Sequence, residues 1–97
     1  VKYIYTKAGN PVGFIEGSWV YRIDGKAVGQ TKDGHVYRLD GSYVGDLEGD
    51  LLINPGNHPG DIDHPADPGW VKAPGNPGRK SSLESLHPDV SQKLFQP

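Results

Sequence analysis

The sequence has no cysteine, no long apolar run and no block of like charge, and each lack excludes something. Without cysteine neither a disulfide framework nor a thiolate metal site can be built, and redox compartment cannot be inferred. The apolar stretches are only a few residues long, far short of the ~20 that a membrane-spanning helix needs. A net charge of −2 and a pI near 6.0 give no electrostatic footprint for nucleic acid or anionic lipid, so neither is an expected partner. The opening "VKYIYTKAGN" is strand chemistry and lacks the apolar core of a signal peptide; read as a whole chain, it predicts a cytoplasmic protein. Only 34% of residues are hydrophobic, and 23 of the 97 are Gly or Pro, a level that without periodicity would suggest disorder. Here much of the glycine is periodic.

The segments "YIYTKAGNPVG", "WVYRIDGKAVG" and "HVYRLDGSYVG" start at residues 3, 19 and 35, sixteen apart. Gly9, Gly25, Gly41 and Gly56 form one column, and Gly13, Gly29, Gly45 and Gly60 a second, with spacings of 16, 16 and 15. Val12, Val28, Val44 and then Pro59 precede the second column. Tyr5, Tyr21 and Tyr37 align with Leu52, and Ile4, Val20 and Val36 with Leu51, so a fourth copy is present in degraded form. Each copy reads as a hairpin, because a β-branched and aromatic strand runs into Ala-Gly, Asp-Gly or Pro-Gly and then a second short strand. Turn glycines supply positive φ. A mid-strand glycine instead marks a bulge, a bend or a close backbone approach, so the second column predicts repeated bends or backbones converging on an axis. One hairpin is marginal in water, and repetition lets neighbours bury one another's faces. The expectation is an all-β fold of seven or eight short strands with local connectivity.

The iterated pattern Y-x-x-x-G-x-x-V-G resembles the small bacterial and phage "4-fold β flower" family over residues 3 to about 62. That resemblance implies four β-hairpins about a pseudo-fourfold axis, followed by a Pro-Gly-Asn-rich tail similar to "APGNPGRKSSLESLHPDVSQKLF". It implies no particular activity. The chain then divides into a four-repeat head (1–62), a Pro/Gly-rich linker (63–80) and a short helical C-terminal segment (81–97).

Eight of the nine prolines lie in residues 55–97, which rules out regular helix or central strand there and predicts an extended, polyproline-like linker. Trp70 within it reads as a packing anchor. Ser81 and Glu84 have capping-box spacing, and Pro88 with Asp89 suits a helix start. A helix this short must dock on something, so "VSQKLF" is expected to pack on its own head or on another chain, with homo-oligomers as one outcome.

Three constellations could carry function. His58, Asp61, Asp63, His64 and Asp67 combine imidazole and carboxylate, the donors for a divalent metal or a hydrolytic site, in a spacing that matches no strong metal motif. Tyr3, Trp19 and His35 occupy equivalent positions and would suit stacking on a carbohydrate or cell-envelope ligand if exposed, and the equivalent Arg22 and Arg38 could grip a carboxylate or phosphate. Asp24, Asp40 and Glu48 beside glycines read as turn residues. With no nucleophile elbow and no phosphate loop, the sequence favours a non-enzymatic binding or self-assembly module without a cofactor, engaging a protein partner or itself through its tail.

Overall fold

The computed structural model describes residues 2–56, 60–62 and 68–95. Among these residues seven strands, β1 (Lys2–Tyr5), β2 (Pro11–Glu16), β3 (Trp19–Arg22), β4 (Ala27–Lys32), β5 (His35–Arg38), β6 (Tyr43–Glu48) and β7 (Leu51–Ile53), precede a single turn of helix, α1 (Gln92–Phe95). Each strand pairs antiparallel with the next, and a parallel contact of Tyr5 with Leu51 closes the sheet into a barrel. Tyr5 N–H donates to the Asp50 carbonyl at 2.8 Å at this closure. The expected all-β class and hairpin connectivity are present. Among the described residues no helix is long and apolar enough to cross a membrane.

The sixteen-residue repeat is a repeat of register. Bulges fall at Ile4/Tyr5, Val20/Tyr21 and Val36/Tyr37, the same place in each copy. Val12, Val28 and Val44 are the extra residues there, and all three pack into the main core cluster. Between copies the strands are joined by tight turns, of which Asp33 (φ 54°) and Gly34 (φ 81°) both take the left-handed conformation that a type I′ hairpin demands. Along each first strand the faces alternate. Ile4, Val20, Val36 and Leu52 are fully buried in one cluster, while Tyr5, Tyr21 and Tyr37 on the opposite face are 3–4% exposed. Cross-strand rings supply part of that second cover: Phe14 stacks on Tyr21 at 5.3 Å, and Tyr43 meets Tyr37 edge-on at 5.8 Å.

The fourth copy corrects the sequence alignment. Asp46 pairs with Ile53 and Leu47 with Leu52, which puts Leu52 with Ile4, Val20 and Val36, and Ile53 in the tyrosine position. The spacing therefore stays at sixteen, and Gly56 and Gly60 had drawn the alignment one residue out of step. Gly60 is not a mid-strand residue: its φ is +89° and a Cβ there would meet nothing within 4 Å.

The partner of β7 comes from far downstream. Ile53 bridges Asp89, Asn54 N–H donates to the Pro88 carbonyl at 2.9 Å, and Val90 N–H to the Leu52 carbonyl at 2.9 Å. The same bond closes the earlier hairpins, from Thr6 to Asn10, Arg22 to Lys26 and Arg38 to Ser42. Thus Pro88-Asp89-Val90-Ser91 stands where the other copies have Asn-Pro-Val-Gly, Lys-Ala-Val-Gly and Ser-Tyr-Val-Gly. The capping-box reading of Ser81 and Glu84, and of Pro88 as a first helical residue, is therefore wrong. Residues 81–90 are non-helical, and Pro88 serves a strand position whose N–H is not required.

Candidate functional site

The second glycine column is the floor of a seat. The C-terminal segment turns inward after Val90, with Lys93 N–H donating to the Val90 carbonyl and Leu94 and Phe95 N–H to that of Ser91. An added Cβ on Gly13 would lie 2.3 Å from Phe95 Cε1, on Gly29 3.3 Å from Leu94 Cδ1, and on Gly45 2.8 Å from Val90 Cγ2. The same Cβ atoms would lie 2.4, 2.6 and 2.5 Å from the carbonyl oxygens of Tyr21, Tyr37 and Ile53, so three equivalent glycines admit both the neighbouring strand and three apolar side chains of the tail. Val90 is 4% exposed and Leu94 7%, both in the main core cluster with the four first-strand residues, and Phe95 packs against it. Polar bonds hold the rim of the seat. Arg38 Nη2 donates to the Lys93 carbonyl at 3.2 Å, and the Asp89 carboxylate accepts Lys7 N–H at 3.0 Å and Ser91 N–H at 2.9 Å.

The stretch leading to the seat is ordered by a second repeat, of nine residues. "PGDI", "PGWV" and "PGRK" recur at that interval, and Gly60, Gly69 and Gly78 share a φ of 81–89°. Two residues after each glycine, a backbone N–H donates to a turn glycine of the head: Ile62 to Gly41 (2.9 Å), Val71 to Gly25 (2.9 Å) and Lys80 to Gly9 (2.8 Å). The tail therefore visits the third, second and first hairpins in turn before entering the fourth. The strand N–H beside each turn is treated accordingly. That of Tyr43 donates to the Asp61 carboxylate at 2.8 Å, that of Ala27 to the Gly69 carbonyl at 3.0 Å, and the equivalent Pro11 has none to satisfy.

The residues singled out in the sequence are distributed around this frame. Tyr3, Trp19 and His35 are half-buried on the outer face. Tyr3 O–H donates to the Gly75 carbonyl at 3.1 Å, and Trp19 packs against the cluster of Phe14, Tyr21 and Ala27. His35 Nδ1 lies 2.5 Å from Asp46 Oδ1, which also accepts the Tyr43 hydroxyl at 2.7 Å. Burial, then the bond and charge of Asp46, push the Tyr43 phenol far above its ordinary value; burial followed by Asp46 raises that of Tyr37. The carboxylate orients the imidazole and keeps Tyr43 a donor. Arg22 and Arg38 do not act as a pair. Arg22 chelates Asp24 through Nε (3.2 Å) and Nη2 (2.8 Å), whereas Arg38 reaches Ser42 and the helix carbonyl.

Asp24 and Asp40 are turn residues, accepting the N–H of Lys26 and Ser42. Of the proposed metal ligands, Asp61 is committed to Tyr43, and His58, Asp63, His64 and Asp67 lie outside the described residues. Trp70 is not a buried anchor: its ring is 62% exposed, with the Arg22 guanidinium at 5.9 Å and the Lys26 ammonium at 6.0 Å, while its backbone bridges Lys26. An open depression of about 550 Å³ is lined by Lys7, Glu48, Leu83, Glu84, Ser85 and Leu86.

A family model described as 4-fold beta flower protein matches residues 2–95. The chain belongs to that family. The match extends past residue 62 through the tail to α1, in keeping with a beta flower whose last petal is completed by residues 88–91. No curated protein and no solved structure matches the chain. Sequence reasoning missed Val90, Leu94 and Phe95 as partners of Gly13, Gly29 and Gly45. The signal available was the echo of Val-Gly in Val90-Ser91 and the nine-residue Pro-Gly period.

Proposed function

We propose that this beta flower is a non-enzymatic binding and self-assembly module that engages extended polypeptide and works without a metal or cofactor. The observation behind this reading is the thrice-repeated backbone hydrogen bond from an extended Pro-Gly segment to a turn glycine, at Gly41, Gly25 and Gly9. Recognition through main-chain groups is how a β-rich surface takes up a strand, with side-chain pockets adding selectivity. Here the glycine floor supplies such pockets. The chain's own tail occupies both the turns and the floor, and a protein partner or a second copy presenting the same chemistry would use the same groups.

Native mass spectrometry of the full-length protein tests the reading. The expected spectrum holds the bare chain or a defined oligomer of it. A stoichiometric divalent ion would overturn the proposal in favour of the His58–Asp67 stretch, and a co-purified sugar in favour of the outer aromatic face.

A further inference from the structure

We infer that the seat formed by β7, Gly13, Gly29 and Gly45 is a peptide-binding site, and that its intermolecular ligand is segment 87–95 of a second copy of the chain. The inference rests on the binding-module reading and makes it specific.

The seat and its occupant are separable in the chain. The 34 residues from Asn54 to His87 lie between β7 and the strand that completes it. Extended, they span about 100 Å, against a largest dimension of 36 Å for the whole molecule. With the Ile62, Val71 and Lys80 bonds to the head released, the same segment can reach a neighbouring head. Its contacts are of two kinds, and both transfer unchanged to a second copy. The Asn54–Pro88 and Val90–Leu52 hydrogen bonds set the register of "PDVS" along β7. Val90, Leu94 and Phe95 then fall over the three glycines, each of which rejects even a Cβ without movement of its neighbour. The ligand is thus defined chemically: a strand of Pro-Asp-Val-Ser followed by one helical turn presenting Leu and Phe. Lys7 and Arg38 complete it by bonding Asp89 and the Lys93 carbonyl. Tethering gives the chain's own segment a high effective concentration, so exchange is favoured by high protein concentration or by weakening of the resident segment.

The experiment uses two full-length variants. The first carries Val90→Asp with Leu94→Asp, which spoils the occupant and leaves the seat. The second carries Gly29→Leu, which spoils the seat and leaves the occupant; because its Cβ also meets the Tyr37 carbonyl at 2.6 Å, its fold is checked first by circular dichroism. Mixed, they are expected to give a 1:1 heterodimer by native mass spectrometry that neither forms alone. A mixture of two folded variants that stays monomeric would overturn the inference, as would equal pairing of the first variant with itself.

If either variant is poorly folded, a synthetic peptide of residues 87–95 is titrated into the first variant instead. The expected result is a rise in Tm of roughly 5 °C at saturating peptide, with none from a peptide carrying the same two aspartates. Equal effects of the two peptides, or none from either, would overturn the inference. A bound ion or sugar in the spectrum of the wild-type protein removes the broader reading instead, so the two failures are distinguishable.

Discussion

At the scale of single residues, glycine does two different jobs in this chain. Gly17 (φ +63°) is required by backbone conformation, and a Cβ there would touch nothing within 4 Å. At Gly13 an added Cβ would be 2.3 Å from the Phe95 ring and 2.4 Å from the Tyr21 carbonyl. Gly17→Ala is expected to cost about 1 kcal/mol, the left-handed penalty of a non-glycine residue. Gly13→Ala is expected to cost about 3 kcal/mol, because overpacking forces the plug and the strand apart. Thermal denaturation of both variants decides the matter. Equal losses would mean that neither the Phe95 ring nor the Tyr21 carbonyl closes over Gly13.

At the scale of elements, α1 has only four residues and cannot stand on its own hydrogen bonds. Its stability is that of Leu94 in the core, 7% exposed. Leu94→Ala is expected to lower the urea midpoint by an amount equivalent to about 3 kcal/mol, whereas Gln92→Ala, exposed on the same turn, should stay within about 0.5 kcal/mol. The hairpins were legible because their partners are neighbours in sequence and recur every sixteen residues, as Tyr5, Tyr21 and Tyr37 do. The downstream partner of β7 was not legible, since β7 bonds Asp89 and Val90 across a gap that local pattern cannot bridge. The pairs Pro55-Gly56 and Pro59-Gly60 imitated the missing half of the hairpin. In the tail, proline content obscured a nine-residue period whose meaning lies in three distant turns. Of the candidate site, the glycine column was visible as an anomaly in the strands; what it accommodates was not.

At the scale of the whole molecule, stability depends on tyrosines that the ring and its tail keep from water. Burial is the first cause of the raised pKa of Tyr21, Tyr37 and Tyr43, with Asp46 adding to the last two and Glu16 to the first. In the unfolded chain these phenols ionise near pH ~10. Above that pH the unfolded state therefore holds fewer protons than the folded one, so their contribution is fully present below pH ~10 and is lost as the pH rises. Melting curves between pH 8 and 11 should show Tm falling from pH ~10, with the absorbance of these three phenolates appearing together with unfolding. Gradual ionisation near pH ~10 in a still-folded protein would show that the phenols are open to solvent.

The route of the tail also has a consequence for how the molecule is made. Synthesis runs from the N-terminal side, so β7 is finished while the segment that covers it, 34 residues downstream, is still untranslated. Until Val90 emerges, Leu52 and the three seat glycines face water. A product stopped between Ile53 and Pro88 carries every petal of the flower but one, with an apolar floor open to quality control. Arrival of segment 88–95 thus marks the moment at which the last petal closes.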